Sequence, residues 1–417
     1  MSRTVKFGIV GGYGATGKAV VSELLKSGDG EILLGGRDGI RLEAAVAEFD
    51  GRVSTARVDI LDTESLDQFC SRCSLIINCG GPVKLLQDRV AHAALRARCH
   101  YVDPAGLSFV KERMLAYAQQ IADLGLSFVV SSGWMPGISE LLPVHAYLQA
   151  KAQMDSIESV NVYFTDSGEW SDNALRDAAF YVRKIGFPKP GYFHKGVRAP
   201  CKLSEATRKI DLGNSIGLRQ FSLVSMAELD DVGRRLSDCN FATYSYSSGV
   251  RTTAAALMIA LLPLSEKFGA RLTRGIFRRS QLPVAGFVVA HVAGRAKGRS
   301  AVLKSRIVFE PGRDYWINAI ALATVARMVS AAKGVIFGVH FLTEAVEPAA
   351  LMVELRKAGV RQSEIFELCD QCSIRCPTRE HGGNLMSVPG RWITKQTGDM
   401  VYTFAENSWL SQLWLDA

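Results

Sequence analysis

Phe7-Gly-Ile-Val-Gly-Gly-Tyr-Gly-Ala-Thr-Gly17 joins an apolar run to a helical pattern through Gly11, Gly12, Gly14 and Gly17. Gly11, Gly14 and Gly17 stand at G-x-x-G-x-x-G spacing. At that spacing the backbone turns tightly, approaches a pyrophosphate with no Cβ in the way, and lets the next helix pack close to the sheet. A helix starting near Thr16 points its unpaired N–H groups and positive dipole end at that phosphate. A strand before the turn and a helix after it are the context that makes such a turn a dinucleotide site, with Gly11, Gly12, Tyr13, Gly14, Ala15, Thr16 and Gly17 as its residues.

The next apolar run, Glu31-Ile-Leu-Leu-Gly-Gly-Arg37, selects the dinucleotide. An NAD site places an acid here for the ribose 2′-OH, whereas an NADP site removes the acid and supplies a cation. Gly35 and Gly36 leave room for a 2′-phosphate and Arg37 offers a guanidinium to pair with it, so the expected cofactor is NADPH.

Strand and helix patterns go on alternating. Strands are expected at Val53–Val58, Leu75–Asn78, His100–Asp103 and Ser127–Val130, and helices at Gly39–Phe49, Leu86–Ala97 and Phe109–Asp123. Short apolar runs separated by amphipathic helices describe a doubly wound parallel α/β sheet of Rossmann type, with its ligand at the strand ends. Asp59 and Ile60 then fall beside the adenine, and Asn78-Cys79-Gly80-Gly81-Pro82 beside the nicotinamide.

At 417 residues the chain is long enough for two domains. With 48% hydrophobic and 22% charged residues it is globular. A strand beginning at Val5 leaves no room for a basic-then-apolar leader, and nine cysteines among apolar neighbours point to reduced thiols, so a cytoplasmic location is expected. The net charge of +8 is uneven. Arg271, Arg274, Arg278, Arg279, Arg295, Lys297, Arg299, Lys304 and Arg306 fall in a segment without Asp or Glu. Such a segment attracts an acidic carrier protein, an anionic membrane or an anionic substrate, and no reading motif for nucleic acid accompanies it. The apolar run Thr252–Leu264 before it contains Pro263 and is shorter than the roughly 20 residues of a spanning helix. A buried helix or an interfacial one are the two readings of it.

Beyond Pro136 the strands lengthen: Ser156–Thr165, Gln220–Met226, Phe241–Ser247, Val284–Ala293 and Ala301–Phe309. The last two flank Gly294–Arg299 as a hairpin with a basic tip, which gives a second α+β domain on an open mixed or antiparallel sheet. The expected divisions are an NADP-binding domain at 1–135, a substrate and dimerisation domain at 136–312, returning helices at 313–366 (Asp314–Ala332 and Pro348–Ala358) and a tail at 367–417. In that tail Cys369, Cys372, Cys376 and His381 match no common zinc module, so no metal is assigned. Arg391–Lys395 and Met400–Phe404 are expected to form a hairpin packed down by Trp409 and Trp414.

Gly11–Gly17, Gly36-Arg37, Ile76–Pro82, His100-Tyr-Val-Asp103 and Gly133-Trp-Met-Pro-Gly-Ile-Ser-Glu-Leu-Leu142 together resemble the saccharopine dehydrogenase-like reductases. The resemblance covers residues 1 to about 145. It implies hydride transfer at a carbon–nitrogen bond, although some members act on lipid-like or polyketide carbonyls and alkenes. An imine accepts hydride best when its nitrogen is protonated, so a proton donor is expected beside the nicotinamide. Asp103 is the first choice and Tyr101 its partner; the alternative for Asp103, which precedes Pro104, is a turn cap. Trp134, Ser139 and Glu140 are expected to wall the substrate pocket, with Tyr192 and His194 reaching in from a loop.

No carboxylate clamp stands out; Arg176 and Arg183 on Ser171–Lys184 are the candidates. A small or carrier-tethered imine in natural-product assembly, reduced by a homodimer, is the favoured reading. A membrane-associated reductase of a lipid-like carbonyl or alkene and a non-enzymatic NADPH sensor or scaffold are the alternatives.

Overall fold

The run that carries the glycine turn forms the centre of a seven-stranded parallel sheet. In this computed structural model residues 5–369 are described, apart from 30, 50, 166–170, 186–190, 203–205, 214–215 and most of 247–284, together with two strands at 392–397 and 400–405. In chain order the first strands are β1 (Val5–Val10), β2 (Ile32–Gly36), β3 (Val53–Arg57), β4 (Cys73–Asn78), β5 (His100–Val102) and β6 (Ser127–Val130). A later strand, Gly338–Phe341, pairs in parallel with β6, and the order across the sheet is Gly338–Phe341, β6, β5, β4, β1, β2, β3. The chain therefore winds outward in both directions from β1 and β4. In an open α/β sheet the crevice at that reversal is where a ligand binds.

Both faces of this sheet are buried, yet side chains still alternate between them. Phe7, Ile9, Leu34, Leu75, Ile77 and Val129 join one core with the helices Ala15–Lys26 and Asp314–Ser330. Val10, Leu33, Ile76, Tyr101, Phe128 and Val130 join the other, with the helices Thr63–Ser71 and Arg89–Arg96. Helix Asp314–Ser330 is apolar around most of its circumference because it lies between layers.

Helix Ile138–Lys151 leads from β6 into a second, nine-stranded sheet. Its strands are β7 (Ser156–Thr165), β8 (Gly191–His194), β9 (Val197–Pro200), β10 (Thr207–Asp211), β11 (Leu218–Leu223), β12 (Asn240–Tyr246), β13 (Gly286–Ala296) and β14 (Arg299–Phe309). Gly338–Phe341 of the first sheet is β15, and β16 (Gln362–Cys369) returns to the second. The order is β10, β11, β12, β7, β13, β14, β16, with β8 and β9 attached to β12. Only β12 and β7 run parallel within that path, so the sheet is mixed. This is the fold class expected from the sequence: a doubly wound parallel sheet and a second α+β unit on a mixed sheet.

Several elements differ from expectation. The β13–β14 hairpin runs on to a two-residue turn, Lys297-Gly298, because both residues take left-handed φ values of 51° and 75° that suit a tight turn between twisted strands. Gln87, with φ 55°, divides the expected helix Leu86–Ala97 into Val83–Leu86 and Arg89–Arg96. The 109–123 stretch is likewise two helices, Leu107–Met114 and Ala118–Asp123, around a 3-10 turn. The hairpin expected in the tail is present: Trp392–Thr397 and Met400–Ala405 pair antiparallel. Thr252–Leu264, Arg278, Arg279, Cys372, Cys376, His381, Trp409 and Trp414 lie outside the described residues, while Cys369 ends β16. Among the described residues no helix is long and apolar enough to cross a membrane.

Candidate active site

The crevice between β1 and β4 is built from backbone. Gly11 takes a φ of +77°, and a Cβ there would lie 2.8 Å from the backbone of Cys79 and Gly80. A Cβ on Gly17 would lie 2.7 Å from the carbonyl oxygens of Gly11 and Gly12, so only glycine lets the helix Ala15–Lys26 sit this close. Gly14 caps that helix with no side-chain hydrogen bond, which leaves the first-turn N–H groups of Ala15 and Thr16 to face an anion. The Cys79 N–H donates to the Val10 carbonyl at 2.9 Å, fixing the loop Cys79–Pro82 against the glycine turn. Ile60 packs where a Cβ on Gly80 would be. Asp59 closes its own turn by accepting the Leu61 N–H at 3.0 Å. A cradle so close to backbone on both sides fits a dinucleotide.

The far end of β2 is cationic. Tyr13 lies across Gly36, where a Cβ would meet its ring at 2.4 Å, and the Arg41 guanidinium sits 4.4 Å from the Tyr13 ring centre. Asp38 accepts the Arg41 N–H at 3.1 Å as a helix cap, so its carboxylate is turned to the helix Gly39–Ala47. Arg57 donates to the Arg37 carbonyl at 3.2 Å. Arg37, Arg41 and Arg57 are thus three exposed guanidinium groups near the end of β2, where a 2′-phosphate belongs.

At the ends of β4, β5 and β6 the site turns from cationic to acidic. Asn78 donates its amide to the Tyr101 hydroxyl at 3.1 Å and accepts the Gly80 N–H at 3.0 Å. Tyr101 lies beside Asp103, and burial together with that carboxylate holds its hydroxyl protonated well above the usual range. Asp103 Oδ1 accepts the N–H groups of Gly106 and Ser131, while Oδ2 has no partner. Burial pushes Asp103 up to about 6 in spite of those hydrogen bonds. The Ser131 hydroxyl donates to Glu228 at 2.9 Å, and burial raises Glu228 to about 7. A site whose carboxyls keep protons near neutrality can donate them.

A helix of the second-sheet segment covers the loop. On Asp172–Ile185, Asn173 donates to the Gly81 carbonyl at 3.1 Å, and Asp177 accepts the Val83 N–H at 2.8 Å just after Pro82. The Lys84 ammonium lies 5.9 Å from the Phe180 ring centre. The side chains that meet the loop and the residue after it are therefore Asn173 and Asp177; the Arg183 side chain is outside the described residues.

The structure brings Asp103, Tyr101 and the expected cofactor residues together around one crevice. Trp134, Ser139 and Glu140, expected in a pocket wall, are fully buried and engaged within the fold. Trp134 packs edge-on against Phe309, Ser139 donates to Glu140 at 2.8 Å, and Glu140 caps its own helix at Gly137. Tyr192 and His194 are not brought there. They lie in β8 at the sheet edge, where His194 pairs with Asn240 at 2.7 Å. Arg41, Asn173, Asp177 and Glu228 were not anticipated. Asp177 had a local signal, since it lies four residues from Asn173 on one helix face; Arg41 and Glu228 had none.

Residues 7–129 match the family model of the saccharopine dehydrogenase NADP binding domain. A probable mitochondrial saccharopine dehydrogenase-like oxidoreductase of Arabidopsis thaliana is 33% identical over 138 residues, and the match spans 30% of this chain and 30% of that relative's length. In fold, the chain is similar to apo saccharopine dehydrogenase (L-Glu forming) of Saccharomyces cerevisiae, at a TM-score of 0.60 and 14% identity over 86% of this chain and 99% of that one. Residues 7–129 thus carry an NADP-binding domain of the saccharopine dehydrogenase type, set in a two-sheet fold similar to that of the yeast enzyme.

Proposed function

We propose that the chain is an NADPH-dependent reductase of a C=N bond in a small or carrier-tethered substrate. One observation carries this reading: Asp103, a carboxyl able to hold a proton near neutral pH, stands with Tyr101 directly behind the loop Cys79–Pro82. When bound, NADPH supplies the hydride. Gly11–Gly17 and the three arginines near β2 hold its phosphates, and Cys79–Pro82 with the helix Asp172–Ile185 shelters the nicotinamide end from water. Asn78 orients the Tyr101 hydroxyl toward Asp103, and the unpartnered Oδ2 of Asp103 is the atom from which a proton leaves toward the substrate nitrogen. An imine gains more from such a donor than a ketone does, because a protonated nitrogen is the better hydride acceptor.

The basic residues Arg295, Lys297 and Arg299 at the β13–β14 turn suit an acidic carrier protein that delivers a tethered substrate, and assembly into a homodimer is part of the proposal. The odd number of cysteines favours the cytoplasm, and imaging of the tagged full chain decides between that and the mitochondrion named for the Arabidopsis relative. The reaction is tested by following NADPH absorbance with pyrroline and thiazoline imines alongside matched cyclic ketones and alkenes. Faster consumption with the imines is expected. Consumption with ketones or alkenes alone points to the carbonyl or alkene reading, and binding without any consumption to a sensor.

A further inference from the structure

Glu228 opens the helix Ala227–Arg235, far along the chain from Asp103, yet its side chain is buried beside the ends of β5 and β6. Ser131 links the two carboxyls: its hydroxyl donates to Glu228 Oε1 at 2.9 Å, and its N–H donates to Asp103 Oδ1 at 3.1 Å. Ser131 also holds a left-handed φ of 60°, a conformation a serine rarely takes unless its surroundings fix it. Asp103 Oδ2 and Glu228 Oε2 are both buried without partners.

The groups facing this pair are Tyr101 and Cys79 on the Asp103 side, Asp230 on Glu228's own helix, and Glu140 from the helix Ile138–Lys151. The nearby cations are engaged elsewhere: Lys111 with Glu344, and Arg198 with Asp230 at 2.8 Å. His145, on the same helix as Glu140, lies 4.0 Å from Glu364. Among the described residues none of Asp103, Glu140 and Glu228 has a lysine, arginine or histidine as an ion-pair partner.

We propose that Glu228 is a positioning residue for Asp103, acting through Ser131 to hold Oδ1 engaged and leave Oδ2 free. The inference rests on reading Asp103 as the proton donor. Two carboxyls joined this way in dry surroundings do not ionise independently, so their protons leave in two steps that belong to the pair. Asp103 at about 6 releases its proton first, and its charge then helps to hold the proton of Glu228 at about 7, so the second loss is felt at both carboxyls.

The test is a carboxyl-carbon NMR titration of the full chain labelled at Asp and Glu, between about pH 5 and 9. The Asp103 signal is identified by its loss in Asp103→Asn. In the unmodified chain Asp103 is expected to titrate in two steps. In Glu228→Gln, which keeps an acceptor for Ser131, it is expected to lose the second step and titrate in one, and a curve that superposes on the original overturns the proposal. Should Glu228→Gln fail to fold, Glu228→Asp keeps the charge and should keep the two-step curve; a single step there overturns it equally. The readout needs no substrate. Loss of the coupling with imine reduction intact removes this inference alone, whereas intact coupling without imine reduction removes the functional reading alone.

Discussion

Asp177 accepts the Val83 N–H at 2.8 Å, so a side chain of the helix Asp172–Ile185 is bound to the backbone just past the loop Cys79–Pro82. Asn173, one turn earlier on the same helix, holds the Gly81 carbonyl. The two together tie the helix Asp172–Ile185 to the loop Cys79–Pro82 and the residue after it. A hydrogen bond within a protein contributes about 0.5–1.5 kcal/mol. Asp177→Ala is therefore expected to weaken NADPH binding by up to about tenfold. Fluorescence titration checks this, and unchanged affinity would detach the helix from the cofactor site.

The arginines near β2 give a second prediction. Arg37→Ala and Arg41→Ala each remove a guanidinium from the expected 2′-phosphate position, and each should raise the Kd for NADPH about ten- to a hundredfold. NADH has no 2′-phosphate, so its Kd should stay nearly constant. Competition titrations of both nucleotides against both variants measure the difference, and a parallel loss for NADH would mean that the arginines act on the fold instead.

Stability should fall from about pH 6.5 to 8. Glu228 at about 7, Glu140 at about 8 and Asp177 at about 7 are raised in the folded chain, mainly by burial, above ordinary carboxyl values. The folded state then holds protons that the unfolded state has released, and stability is lost as pH rises through the folded values. The buried His145 and His291, lowered to about 4 and about 3, act in the opposite sense, but only below the ordinary histidine value of 6.5. Urea unfolding at the two ends of the window should show a lower midpoint at the alkaline end, and Glu140→Gln should flatten the slope. A midpoint that climbs with pH would refute the burial of these carboxyls.

How much of this was legible in the sequence follows from what is local. The glycine turn, Gly36-Arg37 and the strand ends at Asn78 and Asp103 are short-range patterns in which backbone geometry dictates residue type, and the structure places them around one crevice. The strand β15 was not legible, because Gly338–Phe341 is brief and pairs with β6 from far along the chain. Glu140 lay in a recognisable motif but was expected at a pocket wall. Ile138, Leu141, Leu142, Val144, Ala146 and Tyr147 surround it with apolar side chains on every face of its helix, which marks a helix buried between layers. Glu228 carries no local signal at all, since its setting exists only once the two sheets meet. The hairpin at Gly294–Arg299 was legible, and only the shortness of its turn, Lys297-Gly298, was not.

The central claim is that hydride passes from NADPH to the carbon of a C=N bond. NADPH deuterated at the transferring position, incubated with the full chain and a cyclic imine, tests it directly when the amine product is weighed by mass spectrometry. A single deuterium is expected on the former imine carbon, and none with Asp103→Asn at the same cofactor occupancy. Unlabelled amine, or no amine while the label appears in a ketone-derived alcohol, would contradict it.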